Sequence, residues 1–162
     1  MPLHLAALGP AAVRLAGEVA DAWVPFLQPL SGLKERTCLL EDAAAQAGRA
    51  RPRVAPGIPA ALTPEVAAWW VAFYLTSMGP LYATSLREQG FGAAVDAVVA
   101  ANGRGVPPTV PAAARVLVDE LLLTRREDLD RWRTAGADLP ALVLPPGRPL
   151  DELESTLAAF RP

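Results

Sequence analysis

The strongest chemical signal in the sequence is a strand-to-helix joint near the N-terminus. Leu3–Leu8 (LHLAAL) is a short apolar run that predicts a buried strand, and Gly9 and Pro10 close it. Pro10 suits the first turn of a helix, because the N–H that it lacks has no partner there. The helix start offers unpaired N–H groups and a positive dipole end, so the joint could bind an anion. The alternative is an ordinary strand-to-helix turn.

Other residues that could do chemistry have simpler structural interpretations. Glu18 and Asp21 lie three apart and could form a carboxylate pair, but Asp21 is better placed to close the helix and order the next strand. His4 lies inside the predicted strand without an evident partner for acid–base catalysis. Cys38 lies on a predicted amphipathic helix and is expected to be a small buried apolar residue. We therefore assign no catalytic residue from the sequence.

An aromatic-rich stripe follows the helix start at Thr63. At helical spacing it favours core or interface packing, although part of it could line a pocket. Its members are Trp69, Trp70, Phe73, Tyr74 and Met78.

Composition excludes several classes of site. The net charge is −2 and no basic block stands out, which argues against binding driven by nucleic-acid phosphates. One cysteine and one histidine exclude a disulfide framework and the common zinc sites, so we expect no metal. The sequence lacks an apolar run of about 20 residues and a basic leader, which predicts a cytoplasmic protein.

Strand-like and helix-like segments alternate along the chain. Strands are predicted at Leu3–Leu8, Trp23–Leu27, Arg53–Leu62, Glu120–Thr124 and Leu139–Leu144, with helices between them. Apolar strands that alternate with helices predict an α/β fold with a parallel sheet covered on both faces. Gly17, on the apolar face of the first helix, is expected to allow close approach to that sheet.

Three segments resemble the luciferase-like monooxygenases, especially the branch that uses the deazaflavin coenzyme F420. The first, LAALGPAAVRLAGEVADAWVPFL, is similar to the family segment that runs from the fifth barrel strand into its helix. The second, AFYLTSMGPLYATSLREQGFGAAVDAV, is similar to the family's insertion helix, and the third, VLVDELLLTRREDLDRWRTAGADLPALVLPP, to its last two strands. One departure is Arg125-Arg126, where the family usually has a glycine, so a phosphate contact there is not expected.

The resemblance implies parallel (β/α) units that form the C-terminal half of a TIM (β/α)₈ barrel of the bacterial-luciferase type. Residues 1–162 would be one luciferase-like domain, with a helical insertion at about 64–118. Such barrels need about 250 residues, so the first four strands would be missing.

The resemblance also implies a function. We expect a coenzyme F420-dependent oxidoreductase, with FMN as the alternative cofactor, that transfers hydride to or from a small organic substrate. The cofactor's phosphate side would contact Ala7, Leu8, Gly9 and Pro10. Expected partners are further copies of the chain or a complementing N-terminal half. The alternatives are a non-catalytic half-barrel subunit and a truncated gene product without activity of its own.

Overall fold

A computed structural model describes residues 1–161 of the chain. Five short strands form the sheet: β1 (His4–Leu5), β2 (Ala22–Trp23), β3 (Arg53–Val54), β4 (Gly57–Pro59) and β5 (Ala141–Val143). Every pairing between these strands is parallel. The expected α/β fold with parallel strands is therefore confirmed.

Eight α-helices connect and cover the described strands. They are α1 (Pro10–Val19), α2 (Leu33–Gln46), α3 (Pro64–Thr76), α4 (Leu81–Leu86), α5 (Gly92–Ala101), α6 (Val116–Leu121), α7 (Asp128–Thr134) and α8 (Leu150–Ala159). Prolines at the first position start α1 and α3, and the Thr63 hydroxyl accepts a hydrogen bond from the Val66 N–H. None of the helices within residues 1–161 has both the length and the apolar character that a membrane crossing requires.

The strands form one continuous sheet in the order β1, β2, β3/β4, β5. β3 pairs with β2 and β4 pairs with β5, while a bridge between Phe26 and Gly57 joins the two parts. Pro56 separates β3 from β4, and Pro25 follows β2. Neither proline can donate to a strand ladder, which explains why the regular strands are shorter than the predicted ones.

The prediction of a strand at Glu120–Thr124 is wrong. Residues 116–121 form α6, and of the predicted strand only Leu123 pairs with the sheet. Its N–H donates to the Pro59 carbonyl, and its own carbonyl accepts from Ala61, both at 2.9 Å. The main chain at Leu27 turns away in a left-handed conformation (φ 53°), and Leu123 then takes the position beside β4 that β2 leaves. An apolar run such as ELLLT suits a buried helix end as well as a strand, so this outcome depends on the tertiary structure.

The helices pack into two apolar cores. The first lies between the sheet and α1 and α2, and includes Val13, Trp23 and Leu40. The second lies among α3, α4, α5 and α6, and it includes Trp70. These helices occupy residues 64–121. That this region is an insertion within one domain of residues 1–162 stays a prediction, and Pro162 lies outside the described residues.

Two expectations about α1 and α2 are wrong. Gly17 approaches α2 rather than the sheet, since a Cβ built on it would lie 2.5 Å from the Leu40 carbonyl oxygen. Cys38 is exposed. The buried positions of α2 include Leu33, Leu40 and Ala44, and the three- and four-residue spacing of that face leaves Cys38 on the other side.

Candidate functional site

The joint after β1 has the geometry of an open helix start. Gly9 is extended (φ −70°, ψ 152°) and precedes Pro10, which is the first residue of α1. The Gly9 carbonyl accepts the first hydrogen bond of the helix, from the Val13 N–H at 3.0 Å. The N–H groups of Ala11 and Ala12 have no partner inside the helix. No side chain of the described residues caps this helix start.

Space and charge at the joint permit an anion to approach. A Cβ built on Gly9 would meet no atom within 4 Å, and the first turn of α1 contains no acidic residue. The two free N–H groups and the helix dipole supply partial positive charge there. The joint therefore fits a phosphate group, although the fit comes from the main chain alone.

Ala7 and Leu8 could contact a ligand at the joint only through their main chain. Both side chains are buried, and the Ala7 carbonyl accepts a hydrogen bond from the indole N–H of Trp23 at 2.9 Å. Ala7 packs in the core between the sheet and α1, so its side chain lies on the face of the sheet that α1 covers. Of the four predicted residues, Gly9 is partly exposed and Pro10 exposed.

Two clefts lie beside the carboxyl end of β4 and share Leu62, Thr63 and Glu65. The first has a volume of about 500 Å³, and its polar lining includes Thr109, Arg115 and Asp119. The second, of about 460 Å³, includes Arg148 and Asp151. Neither cleft includes the joint, which is two strand positions away, or roughly 10 Å at the usual strand spacing. The carboxyl ends of the strands are the face that carries active sites in (β/α)₈ barrels.

A buried carboxylate orders the turn before α7. Asp128 accepts hydrogen bonds from the Thr124 N–H at 2.9 Å, the Thr124 hydroxyl at 3.1 Å and the Arg125 N–H at 3.2 Å. Burial alone would raise the pKa of Asp128, but these hydrogen bonds outweigh it and hold the pKa below its ordinary value. The Arg125 guanidinium is mostly exposed and lies 3.4 Å from the same carboxylate. The turn that carries Arg125-Arg126 is therefore ordered from within the chain.

Acid is expected to destabilise the protein through Asp128. The pKa of Asp128 is lower in the folded state than in the unfolded state, where it is about 3.9. The ionised carboxylate therefore stabilises the fold fully when the pH is well above about 3.9, and this stabilisation is lost as the pH falls through the folded-state pKa. We expect Asp128→Asn to lower the melting temperature at pH 7. Between pH 5 and pH 3, the melting temperature of the variant should fall less than that of the wild type. Asp42→Asn, at an exposed position on α2, is the matched control. An identical acid dependence in Asp128→Asn and the wild type would contradict the assignment.

The remaining candidates do not assemble into a catalytic set. Asp21 accepts a hydrogen bond from the Leu3 N–H at 2.7 Å and so orders the start of β1, while Glu18 is exposed on α1. Leu5 packs in the core that the sheet shares with α1 and α2, and alternation along the strand places His4 on the opposite face of the sheet. His4 lies at the amino end of β1, away from the carboxyl ends. Among residues 1–161, no group of three acidic, histidine or cysteine side chains could hold a metal ion.

The aromatic stripe on α3 is mainly a packing surface. Trp70 is fully buried and donates a hydrogen bond to the Ala60 carbonyl at 3.0 Å, which ties α3 to the end of β4. Tyr74 lies 5.0 Å from Phe26 between ring centres. Burial raises the pKa of Tyr74 above its ordinary value. Met78 is exposed.

A pair of glutamine side chains, one of them buried, has no signal in the sequence. The Gln28 side chain is 1% exposed and donates to the Gln89 side-chain oxygen at 2.6 Å, across 61 residues. Its own side-chain oxygen has no partner among the described residues. Gly32 permits this approach, because a Cβ there would lie 2.9 Å from the Gln28 amide nitrogen. The pair joins the loop after β2 to the π-helical turn Arg87–Phe91.

The chain resembles one protein family and several solved structures. The family model described as luciferase-like monooxygenase matches residues 1–123. The coenzyme F420-dependent tetrahydromethanopterin reductase from Methanopyrus kandleri superposes with a TM-score of 0.65 at 17% identity, over 98% of this chain and 49% of that one. No curated protein sequence matches significantly.

Two further solved structures share the fold. An F420-dependent secondary alcohol dehydrogenase, in complex with an F420–acetone adduct, gives a TM-score of 0.60 at 18% identity, over 100% of this chain and 49% of that one. An EDTA monooxygenase from Chelativorans sp. BNC1 gives a TM-score of 0.52 at 17% identity. The match covers 96% of this chain and 42% of that one. The chain thus spans about half the length of the solved structures that it matches, and these likenesses show its fold.

Proposed function

The chain belongs to the luciferase-like monooxygenase family, and from this premise we propose that it forms part of a coenzyme F420-dependent oxidoreductase. FMN is the alternative cofactor. Two of the similar solved structures are named as F420-dependent enzymes, which supports the first choice at the level of the fold. In this proposal the cofactor supplies hydride-transfer chemistry with a small organic substrate, and the protein supplies position and electrostatics.

The observation that carries the proposal is the open joint between β1 and α1. Its free N–H groups, the empty space around Gly9 and the absence of an acidic residue in the first turn fit the phosphate of either cofactor. In this proposal Ala7, Leu8, Gly9 and Pro10 contact the phosphate side of the cofactor, and the N–H groups of Ala11 and Ala12 donate to the phosphate. The hydrogen bond from the Trp23 indole N–H to the Ala7 carbonyl holds the strand end at the joint in position.

A substitution that separates binding from stability tests the joint. Aspartate is a favourable residue at the position before a helix, so Gly9→Asp is expected to keep or raise the melting temperature. It would also place a negative charge where the phosphate binds, and we expect the affinity for F420 or FMN to fall at least tenfold. Fluorescence titration of the purified chain with each cofactor measures the effect.

The matched control is Gly9→Asn, which also caps the helix but carries no charge. It should bind the cofactor more tightly than Gly9→Asp does. Equal binding by the wild type and Gly9→Asp would remove the joint from the cofactor site. If the wild-type chain binds neither cofactor, the proposal fails for the chain on its own.

The second candidate function is a non-catalytic half-barrel subunit that completes another polypeptide. The distance between the joint and the two clefts beside β4 favours this second candidate. Neither cleft contains residues of the joint, so neither combines the proposed phosphate site with a substrate site. Absence of cofactor binding by a folded chain would support this alternative.

A further inference from the structure

Arg36 is a buried cation that pairs with no group of the described chain. It lies in the first turn of α2 and is 6% exposed. The ion pairs within residues 1–161 all involve other arginines, and so do the hydrogen bonds that arginine side chains donate there. Arginine is almost never buried to this extent unless an opposite charge pairs with it. The position is therefore suited to bind an anion.

The Arg36 guanidinium remains accessible to a ligand. Among the described residues, only the side-chain oxygen of Gln28 is both sealed from solvent and without a hydrogen bond. The Arg36 nitrogens are therefore not sealed, although the side chain as a whole is buried. Glu35, the acid in the first turn of α2, is exposed, and the first turn of α1 contains no acid. An anion can thus reach the guanidinium.

The position of Arg36 on α2 brings it to the first turn of α1. These two helices run parallel, because each follows a strand of the same parallel sheet. A Cβ built on Gly17 would lie 2.5 Å from the Leu40 carbonyl oxygen and 2.9 Å from the Ala43 Cβ, and Arg36 belongs to the same buried face of α2. Arg36 precedes that contact by about five residues, or about 8 Å at the rise of a helix. The same distance back along α1 from Gly17 leads to residues 11–12, whose N–H groups are free.

We propose that Arg36 is the side chain that completes the anion site at the joint between β1 and α1. Helical side chains lean towards the start of their own helix, so the guanidinium extends to the level of Gly9 and Pro10. There its planar fork and the N–H groups of Ala11 and Ala12 hold one phosphate group between them. A site that otherwise consists of main chain thereby gains a full positive charge. This inference rests on the proposed function, because the phosphate is that of the cofactor.

Cofactor affinity and stability should respond differently to Arg36→Met, which removes the charge and keeps much of the side-chain volume. The melting temperature of the free protein should stay the same or rise, because a buried charge without a partner is removed. The affinity for FMN should fall at least tenfold, since a charge-assisted hydrogen bond to the phosphate is lost. Riboflavin has the same ring system without the phosphate and should bind the wild type and the variant equally. An arginine that serves only the fold would give a lower melting temperature and an unchanged preference for FMN over riboflavin.

The matched control is Arg14→Met, since Arg14 is an exposed arginine of α1. It should change the affinity for FMN less than about twofold, as expected for a screened surface charge. Arg36→Lys keeps the charge without the planar fork and should retain part of the affinity.

Inorganic phosphate separates this inference from the proposed function. If the wild type binds neither FMN nor F420, the proposed function fails for the chain on its own. Phosphate should even then raise the melting temperature of the wild type more than that of Arg36→Met, with chloride at equal ionic strength as the reference. Equal responses of the two proteins to phosphate would overturn the role of Arg36. So would an unchanged preference for FMN over riboflavin in Arg36→Met, and in that case the loss of affinity in Gly9→Asp would still support the joint.

Discussion

Trp70→Ala is expected to lower the free energy of unfolding by about 3–5 kcal/mol, as for other fully buried tryptophans. The Trp70 ring is 1% exposed, and its removal leaves a cavity between α3 and the end of β4. The Ala60 carbonyl also loses its hydrogen bond from the indole N–H at 3.0 Å. Because this contact fixes the helices of residues 64–121 to the sheet, the clefts beside β4 should lose order too. Urea denaturation followed by circular dichroism measures the change.

Trp69→Ala is the control for this substitution. Trp69 is the neighbouring residue of the same type, but it is only partly buried and stacks on Phe73 at the edge of the cluster. We expect a loss clearly below that for Trp70→Ala. Trp70→Phe should retain most of the packing and lose the hydrogen bond, with an intermediate effect. Equal losses at positions 69 and 70 would mean that α3 is not fixed through Trp70.

Gly17→Leu is expected to prevent the close packing of α1 on α2. Helix propensity alone favours leucine over glycine by about 1 kcal/mol, so a freely exposed position would gain stability. Here a Cβ would lie 2.5 Å from the Leu40 carbonyl oxygen and 2.9 Å from the Ala43 Cβ. Since one of these neighbours is main chain, the helices must separate. We expect a loss of about 3 kcal/mol or more, at the upper end of overpacking effects.

The graded and matched variants make this result specific. Gly17→Ala should cost about 1–3 kcal/mol, because its methyl group meets the same atoms. Gly9→Ala should be nearly neutral, since a Cβ there meets nothing within 4 Å and the φ of −70° suits any residue. Thermal melting of the three variants in parallel is sufficient. A stabilised Gly17→Ala would show that the two helices are further apart than described.

The candidate site was predictable in its position but not in its surroundings. Gly9 and Pro10 locate the joint from the sequence, because the restrictions that proline imposes act within one or two residues. The sequence does not indicate that the Ala7 carbonyl is held by Trp23, or that both clefts lie beside β4 instead. Those facts depend on which strands become neighbours.

Long-range partners account for the residues that sequence reasoning missed or misplaced. Gln28 and Gln89 are 61 positions apart and meet only because the loop after β2 packs against the turn Arg87–Phe91. Leu123 pairs with Ala60 because the chain turns away at Leu27 and leaves one place beside β4 open. Neither pairing follows from the residue types involved.

The sequence by itself determined the starts of α1 and α3, the alternation of strands and helices, and hence the parallel sheet. Proline, capping threonine and apolar periodicity act over a single turn or strand, so they can be interpreted locally. Only the tertiary structure decided that Gly17 meets α2, that Cys38 is exposed and that His4 lies on the face of the sheet opposite α1 and α2. The side of an element that becomes buried depends on the element that packs against it, and that partner lies far away along the chain.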